Sequence, residues 1–153
     1  MEASMDLKHR LHEACLATVE EKIHASRSAM EVVQKAANQE SKSSVGDKYE
    51  TGRAMMQLEL EKMAFQLEEA IKLKKQLHQI KLQELCHQAE LGSVIITSIG
   101  NFFIAVSLGK IAIEDTVYFT ISLASPIGQA LYQHQAGDEI TFNGRQITIE
   151  QVF

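Results

Sequence analysis

Ser43-Ser44-Val45-Gly46-Asp47-Lys48-Tyr49-Glu50-Thr51-Gly52-Arg53 is the stretch that decides the fold of the N-terminal half. It interrupts a long run of helix-forming sequence that has no proline and, before Gly92, no glycine besides Gly46 and Gly52. A connection this short returns the second helix antiparallel to the first. The sequence therefore predicts a helical hairpin with its tip near residues 43–50.

The two flanks of this tip, Met5–Gln39 and Asp47 to about Glu90, are the predicted helices. At about 1.5 Å per residue each would extend roughly 50 to 65 Å. Apolar and small residues recur at steps of three and four in both flanks, which is the pattern of a coiled-coil seam. The predicted seam is formed by Leu16, Val19, Ile23, Ser26, Met30, Val33 and Ala37, facing Met56, Leu60, Met63, Leu67 and Ile71.

Charge divides the 153-residue chain into two parts, predicted as domains 1–91 and 92–153. The first part carries 13 of the 15 Lys and Arg and 15 of the 20 Asp and Glu. Affinity for nucleic acid rests chiefly on clustered Lys and Arg, and only Lys110 and Arg145 follow Gly92. A protein partner is therefore expected for the second part, and any contact with DNA or RNA is expected to be indirect.

The sequence shows no membrane-spanning apolar run and no signal-peptide pattern, so a cytoplasmic protein without a membrane partner is expected. Two cysteines do not form the framework of a disulfide-stabilised fold. The hairpin base also gathers imidazole and thiol groups, which are common zinc ligands. Their spacing matches no zinc motif, and no metal site is predicted from the set His9, His12, Cys15, His78, Cys86 and His87.

From Gly92 onward, short β-branched and aromatic runs alternate with turn residues, which predicts strands. Ser125-Pro126 is a helix start, because serine caps free backbone amides and proline fits the first helical position, so Ser125 to about Gln133 is predicted helical. Asn143-Gly144 predicts a tight hairpin turn. The expected fold class is α+β, a helical hairpin followed by an antiparallel sheet with one helix. The predicted strands are 93–97, 101–106, 110–113, 117–122, 139–142 and 145–152.

Two segments of the second part resemble a known family. Ser125-Pro126-Ile127-Gly128-Gln129-Ala130-Leu131, followed by Gly137-Asp138-Glu139-Ile140, is similar to the C-terminal domain of the Gre-type transcript elongation and cleavage factors. The order of hairpin and β-rich domain is similar as well. The resemblance implies an FKBP-like C-terminal domain that docks on RNA polymerase, with Ser125, Pro126, Ile127 and Gly128 as candidate contacts, and a hairpin that enters the secondary channel.

The resemblance also implies a role for the tip near the polymerase's catalytic magnesium. Asp47, Tyr49, Glu50 and Arg53 are the candidate tip contacts, and the protein would share Mg²⁺ with the polymerase only if Asp47 and Glu50 are functional, since carboxylates can hold a metal ion that orients water. No cofactor is expected for the protein alone.

The tip departs from the family pattern of Asp-x-x-Glu-Asn. When Tyr49 is aligned with the family's tyrosine, the two acidic positions fall on Lys42 and Val45. When the acids are aligned instead, Asp47 and Glu50 fit but the asparagine is lost. Two modes are left open, stimulation of the polymerase's own RNA cleavage and obstruction of its channel, and the chain itself is not predicted to be an enzyme.

Two alternatives come from other classes of protein. One is a structural adaptor whose hairpin binds another helix or a second copy, against the expected monomer, and an apolar outer face of the hairpin would favour it. The other is a prolyl isomerase, which the FKBP-like expectation suggests but which fold alone does not convey.

Overall fold

The computed structural model describes the backbone of residues 2–42 and 46–153 and the side chains of residues 2–39 and 50–153. The hairpin prediction is confirmed by two long helices, α1 (Glu2–Lys42) and α2 (Gly46–Gln79). Ser43, Ser44 and Val45 lie outside the described residues, as do the side chains of Asp47 and Tyr49. No helix within the described ranges is long and apolar enough to cross a membrane.

The seam between the helices follows the predicted pattern. Every seam residue named above is buried or half-buried, with Val19 and Ile23 the most completely covered. Lys74 on α2 forms an ion pair with Glu20 on α1, which fixes the antiparallel register there. Lys72 pairs with Glu69 on the same helix. Lys72 and Lys74 therefore belong to solvated ion pairs, as the mixture of lysines and glutamates on this helix indicates.

The second helix ends eleven residues before the predicted end at Glu90, because α2 stops at Gln79. No proline or glycine lies between Gln79 and Gly92, so no local signal marks this end. The chain turns here because Ile80, Leu82 and Ala89 become buried. Ala89 exchanges backbone hydrogen bonds with residues 133 and 134. Tertiary packing thus overrides helix propensity, which is weak by comparison.

Six strands and one short helix follow, close to their predicted bounds. They are β1 (Val94–Thr97), β2 (Gly100–Ala105), β3 (Gly109–Ile113), β4 (Thr116–Ser122), α3 (Pro126–Leu131), β5 (Glu139–Phe142) and β6 (Arg145–Val152). The sheet order is β3-β4-β2-β1-β6-β5. Asn143 and Gly144 both have positive φ, as their hairpin turn requires. The α+β prediction is confirmed.

The prediction of a wholly antiparallel sheet is wrong in one place, because β2 and β4 pair in parallel. Residues 106–108 carry the chain past the position beside β2, so that β3 forms the edge of the sheet and β4 returns to pair with β2. Tyr118 and Thr120 make β4 suited to the inner position, since both are buried, whereas β3 buries only Ile111. Alternating hydrophobicity identifies a strand but not its neighbour.

One side of the sheet packs under α3. This core contains Ile95, Ile104, Leu131, Ile147 and Ile149, all fully buried. The chain divides into two compact units: residues 1–18 and 75–153, here called the sheet unit, and residues 19–74, here called the hairpin unit. This division shows which residues lie close together in space, and it does not measure which segments fold independently. The predicted domain boundary between residues 91 and 92 therefore stays a prediction.

Candidate functional site

The tip residues named from the sequence lie in or next to the first two turns of α2. Glu50 and Arg53 are exposed, and Thr51 between them makes an interaction of its own. The backbone of Asp47 is in the first helical turn, where a carboxylate is favoured by the helix dipole. The side chains of Asp47 and Tyr49 are outside the described residues, so their role at the tip stays a prediction.

The Ser125 motif is held together by internal hydrogen bonds. The backbone N–H of Gly128 donates to Ser125 Oγ at 3.1 Å, and the Ser125 hydroxyl donates to the Ser122 carbonyl at 2.7 Å. Pro126 occupies the first helical position. The predicted cap is therefore present, and it satisfies an amide that a six-residue helix would otherwise leave open.

Gly128 has a steric reason to be glycine. A Cβ built there would lie 2.2 Å from the Ser122 carbonyl oxygen and 3.0 Å from the Leu123 carbonyl oxygen. Ile127 packs against the core of the sheet, and Gly128 is buried. Pro126 is exposed. The structure thus gives Ser125, Ile127 and Gly128 a packing role, and contact of these residues with a partner stays a prediction.

The Gly137-Asp138-Glu139 segment is likewise stabilised from within. The backbone N–H of Gln135 donates to Asp138 Oδ2 at 2.8 Å, and His134 Nδ1 lies 3.3 Å from the same oxygen. The backbone of Asp138 bonds to Gln135 and Ile149, which joins the turn to β6. The Gln135 amide, followed by His134, lowers the pKa of the Asp138 carboxyl group below its usual value.

This lowered pKa gives a pH-dependent stability. A carboxyl group whose pKa falls on folding stabilises the native state above its unfolded pKa of about 3.9 and loses that effect as pH falls through the folded pKa. At neutral pH we expect wild type to be more stable than Asp138→Asn, and Asp138→Asn more stable than Asp138→Ala, because asparagine keeps an acceptor oxygen. Thermal unfolding below pH 4 should bring wild type and Asp138→Asn together; a constant difference would contradict the assignment.

Lys8 on α1 is buried and lies next to Cys86, in the segment that follows α2. Lys8 is 0% exposed, and its amine donates to the Glu84 carbonyl at 3.1 Å and to Cys86 Sγ at 3.6 Å. Burial raises the pKa of the Cys86 thiol, which Lys8 partly opposes. Burial also raises the pKa of Cys15 to about 12. Both thiols are therefore protonated near neutral pH.

The histidine and cysteine set at the helix ends does not assemble into a ligand cluster. His12 Nε2 donates to the Leu77 carbonyl at 2.7 Å, which caps the last turn of α2. Among the residues that the structure describes, no group of three or more histidine, cysteine or acidic side chains could hold a metal. His12 therefore has a structural role.

Aromatic residues of the sheet unit mostly fill its core. Phe103 is 0% exposed, and Phe102 and Tyr118 are nearly as buried. Phe119 packs against Phe102 with ring centroids 5.8 Å apart. Because they are buried, these side chains are not available to line the aromatic pocket that the isomerase hypothesis requires. Support for that hypothesis would have to come from a proline-peptide assay.

Comparison with known proteins gives distant structural likenesses. No protein-family model and no curated protein matches the chain. The GreA factor homolog Gfh1 of Thermus thermophilus is 17% identical over 92% of this chain and 95% of that chain, with a TM-score of 0.36. A second structure, of the transcription factor Gfh1, is 19% identical over 91% and 93%, with a TM-score of 0.38. Likenesses at this level assign neither a family nor an activity to the chain.

Sequence reasoning missed two features. Lys8 reads as a solvated residue of a polar helix face, and the one available signal is its position between Leu7 and Leu11. A second apolar stripe on α2 contains Met55, Leu58 and Phe65, all exposed. The spacing of this stripe is present in the sequence, but the longer seam pattern on the same helix is the stronger signal for helix pairing.

Proposed function

We propose that this protein binds RNA polymerase and regulates transcription elongation from the secondary channel, with the tip of the hairpin directed to the active centre. The resemblance of residues 125–131 and 137–140 to the Gre-type C-terminal domain carries the proposal. The antiparallel pairing of α1 with α2 supports it, because a long paired hairpin is the part that such a mechanism needs. The protein would act in the cytoplasm.

The tip determines which of the two modes operates. Glu50 and Asp47 are three residues apart, so that on a helix they fall on neighbouring positions of one face. If they share the polymerase's magnesium, they stimulate hydrolysis of the transcript by the polymerase. If they do not, the hairpin obstructs the channel. In both modes the catalyst is the polymerase, and the protein holds no cofactor alone.

A backtracked elongation complex tests the proposal. Purified protein is expected to bind the complex and to change either RNA cleavage or elongation. Asp47→Ala with Glu50→Ala should abolish a cleavage effect and leave an obstructing effect largely in place. The matched control is Glu59→Ala with Glu61→Ala, which removes the same charge from exposed positions further along α2. A protein that does not bind the polymerase would remove the proposal.

One observation favours the adaptor alternative. Val32, Met55, Leu58 and Phe65 of the hairpin unit are each more than 60% exposed, whereas a hairpin that enters an aqueous channel is expected to be polar outside. Exposed apolar patches commonly mark interaction surfaces. An adaptor would use this surface to bind a helix, and it would retain that binding when the tip acids are removed.

A further inference from the structure

The helix α2 carries two apolar stripes, and α1 covers one of them. Met55, Leu58 and Phe65 recur at steps of three and seven residues. At 100° per residue this stripe lies about 150° around the helix from the seam residues. The side chains of Leu58 and Phe65 are 66% and 62% exposed. Within the hairpin unit, then, a second row of large apolar side chains faces solvent.

A row of small residues on α1 accompanies it. Ala25 and Ser26 of α1 line a groove of about 410 Å³ together with Phe65 and Leu73 of α2. Ala29, Val32 and Ala36 continue the Ala25 row at steps of four, three and four, which keeps them on that side of α1. In this groove the small side chains of α1 therefore lie beside the large side chain of Phe65, and Met55 and Leu58 continue the row of Phe65 along α2. We define the apolar face by these rows: Ala25, Ala29, Val32, Ala36, Met55, Leu58 and Phe65.

We propose that a second copy of this chain docks on the apolar face. With a two-fold axis parallel to the hairpin, α1 of one copy lies over α2 of the other, as in an isologous interface. Within one copy, the Glu20–Lys74 ion pair sets a register in which Phe65 is level with Ala29. A two-fold axis parallel to the hairpin keeps that level, so Phe65 of one copy lies beside Ala25 and Ala29 of the other. Large side chains then meet small ones, which is the complementarity that helix packing requires.

Charges at one end of the groove fit the same arrangement. Lys22 and Glu69 both line the groove, and the two-fold brings Lys22 of one copy to Glu69 of the other. Residues 19–74 contain 9 Lys and Arg against 10 Asp and Glu, so the net charge of this unit is −1. Repulsion between two nearly neutral hairpins is small, and self-association is not opposed by it.

The size of the face sets the strength of the contact. From Lys22 to Ala36 the face is about 22 Å long, and two helices side by side are about 20 Å wide. Two copies would bury on the order of 1,000 Å² in total, at the lower limit for a specific interface. The dimer is therefore reversible and depends on protein concentration. It does not rest on binding to RNA polymerase.

Sedimentation equilibrium of the full chain over a wide range of concentrations tests the proposal. Wild type is expected to shift from monomer to dimer, and Phe65→Glu to weaken the dimer at least tenfold, because it buries a charge in an apolar contact. Gln57→Glu adds the same charge at an exposed position of α2 off the apolar face and should leave the dimer unchanged. Circular dichroism checks that both variants keep their helices.

A charge exchange tests the orientation. Lys22→Glu alone and Glu69→Lys alone should each weaken the dimer, and the double variant should restore it. A monomer at every concentration would overturn the proposal, as would a dimer that Phe65→Glu leaves intact. A monomer whose Phe65→Glu variant loses binding to RNA polymerase would also overturn it, and would assign the apolar face to the polymerase.

Discussion

Gly128→Ala is expected to lower the free energy of unfolding by about 3 kcal/mol or more, the size of effect that a forced steric clash in a core produces. The added Cβ would meet the Ser122 carbonyl oxygen at 2.2 Å, and a backbone oxygen cannot rotate away as the end of a side chain can. To relieve the clash, α3 must move off the sheet, which uncovers Leu131. Chemical denaturation of wild type and variant measures the difference.

Gly144→Ala is the control for this substitution. Gly144 has a φ of +75°, but nothing lies within 4 Å of a Cβ built there. Its alanine variant therefore carries backbone strain without a clash and should cost about 1 kcal/mol. Equal losses at the two positions would show that the close approach at Gly128 is relieved locally, and would contradict the packing role given to the motif.

Lys8→Ala is expected to lower the free energy of unfolding by about 2 to 4 kcal/mol. The substitution leaves a cavity where a fully buried side chain stood, and it removes the donor that satisfies the Glu84 carbonyl. Because Glu84 lies in the segment that follows α2, the loss should loosen residues 80–91. Hydrogen exchange of that segment, measured beside denaturation, would report the loosening.

Two further lysine variants separate the causes. Lys8→Met keeps most of the volume and removes the buried charge, so it should cost less than half as much as Lys8→Ala, since apolar replacement of a buried ionic group is often tolerated. Lys81→Ala removes an exposed lysine from the same unit and should change stability by no more than about 0.5 kcal/mol. If Lys8→Ala lost no more stability than Lys81→Ala, the result would contradict the structural role of Lys8.

The helices and strands of this fold are predictable from local sequence pattern. Which segments pack or pair with one another is not. Asn143-Gly144 and Ser125-Pro126 fix backbone geometry by themselves, so β5, β6 and α3 fall where the sequence predicts. The end of α2 at Gln79 and the parallel pairing of β4 with β2 depend on which residues are buried against distant segments. Neither feature leaves a signal in the sequence within a few residues of where it occurs.

The candidate site divides in the same way. Ser125, Gly128 and Asp138 belong to the segments that carry the resemblance, and the structure explains each by a cap, a close approach or a turn. Such residues indicate a fold more directly than a function. The role of the exposed side chains of the hairpin stays a prediction, because it depends on the surface of a partner, which no pattern within this chain specifies.

Local cleavage of the hairpin by hydroxyl radicals tests the polymerase proposal most directly. When Fe²⁺ replaces Mg²⁺ in the active centre of RNA polymerase, radicals cut whatever backbone lies beside the metal. The end-labelled full chain, bound to such a polymerase, is predicted to be cut at residues 43–50, and an excess of Mg²⁺ should suppress the cuts. A bound protein that is left whole, or that is cut only within residues 92–153, would contradict the account.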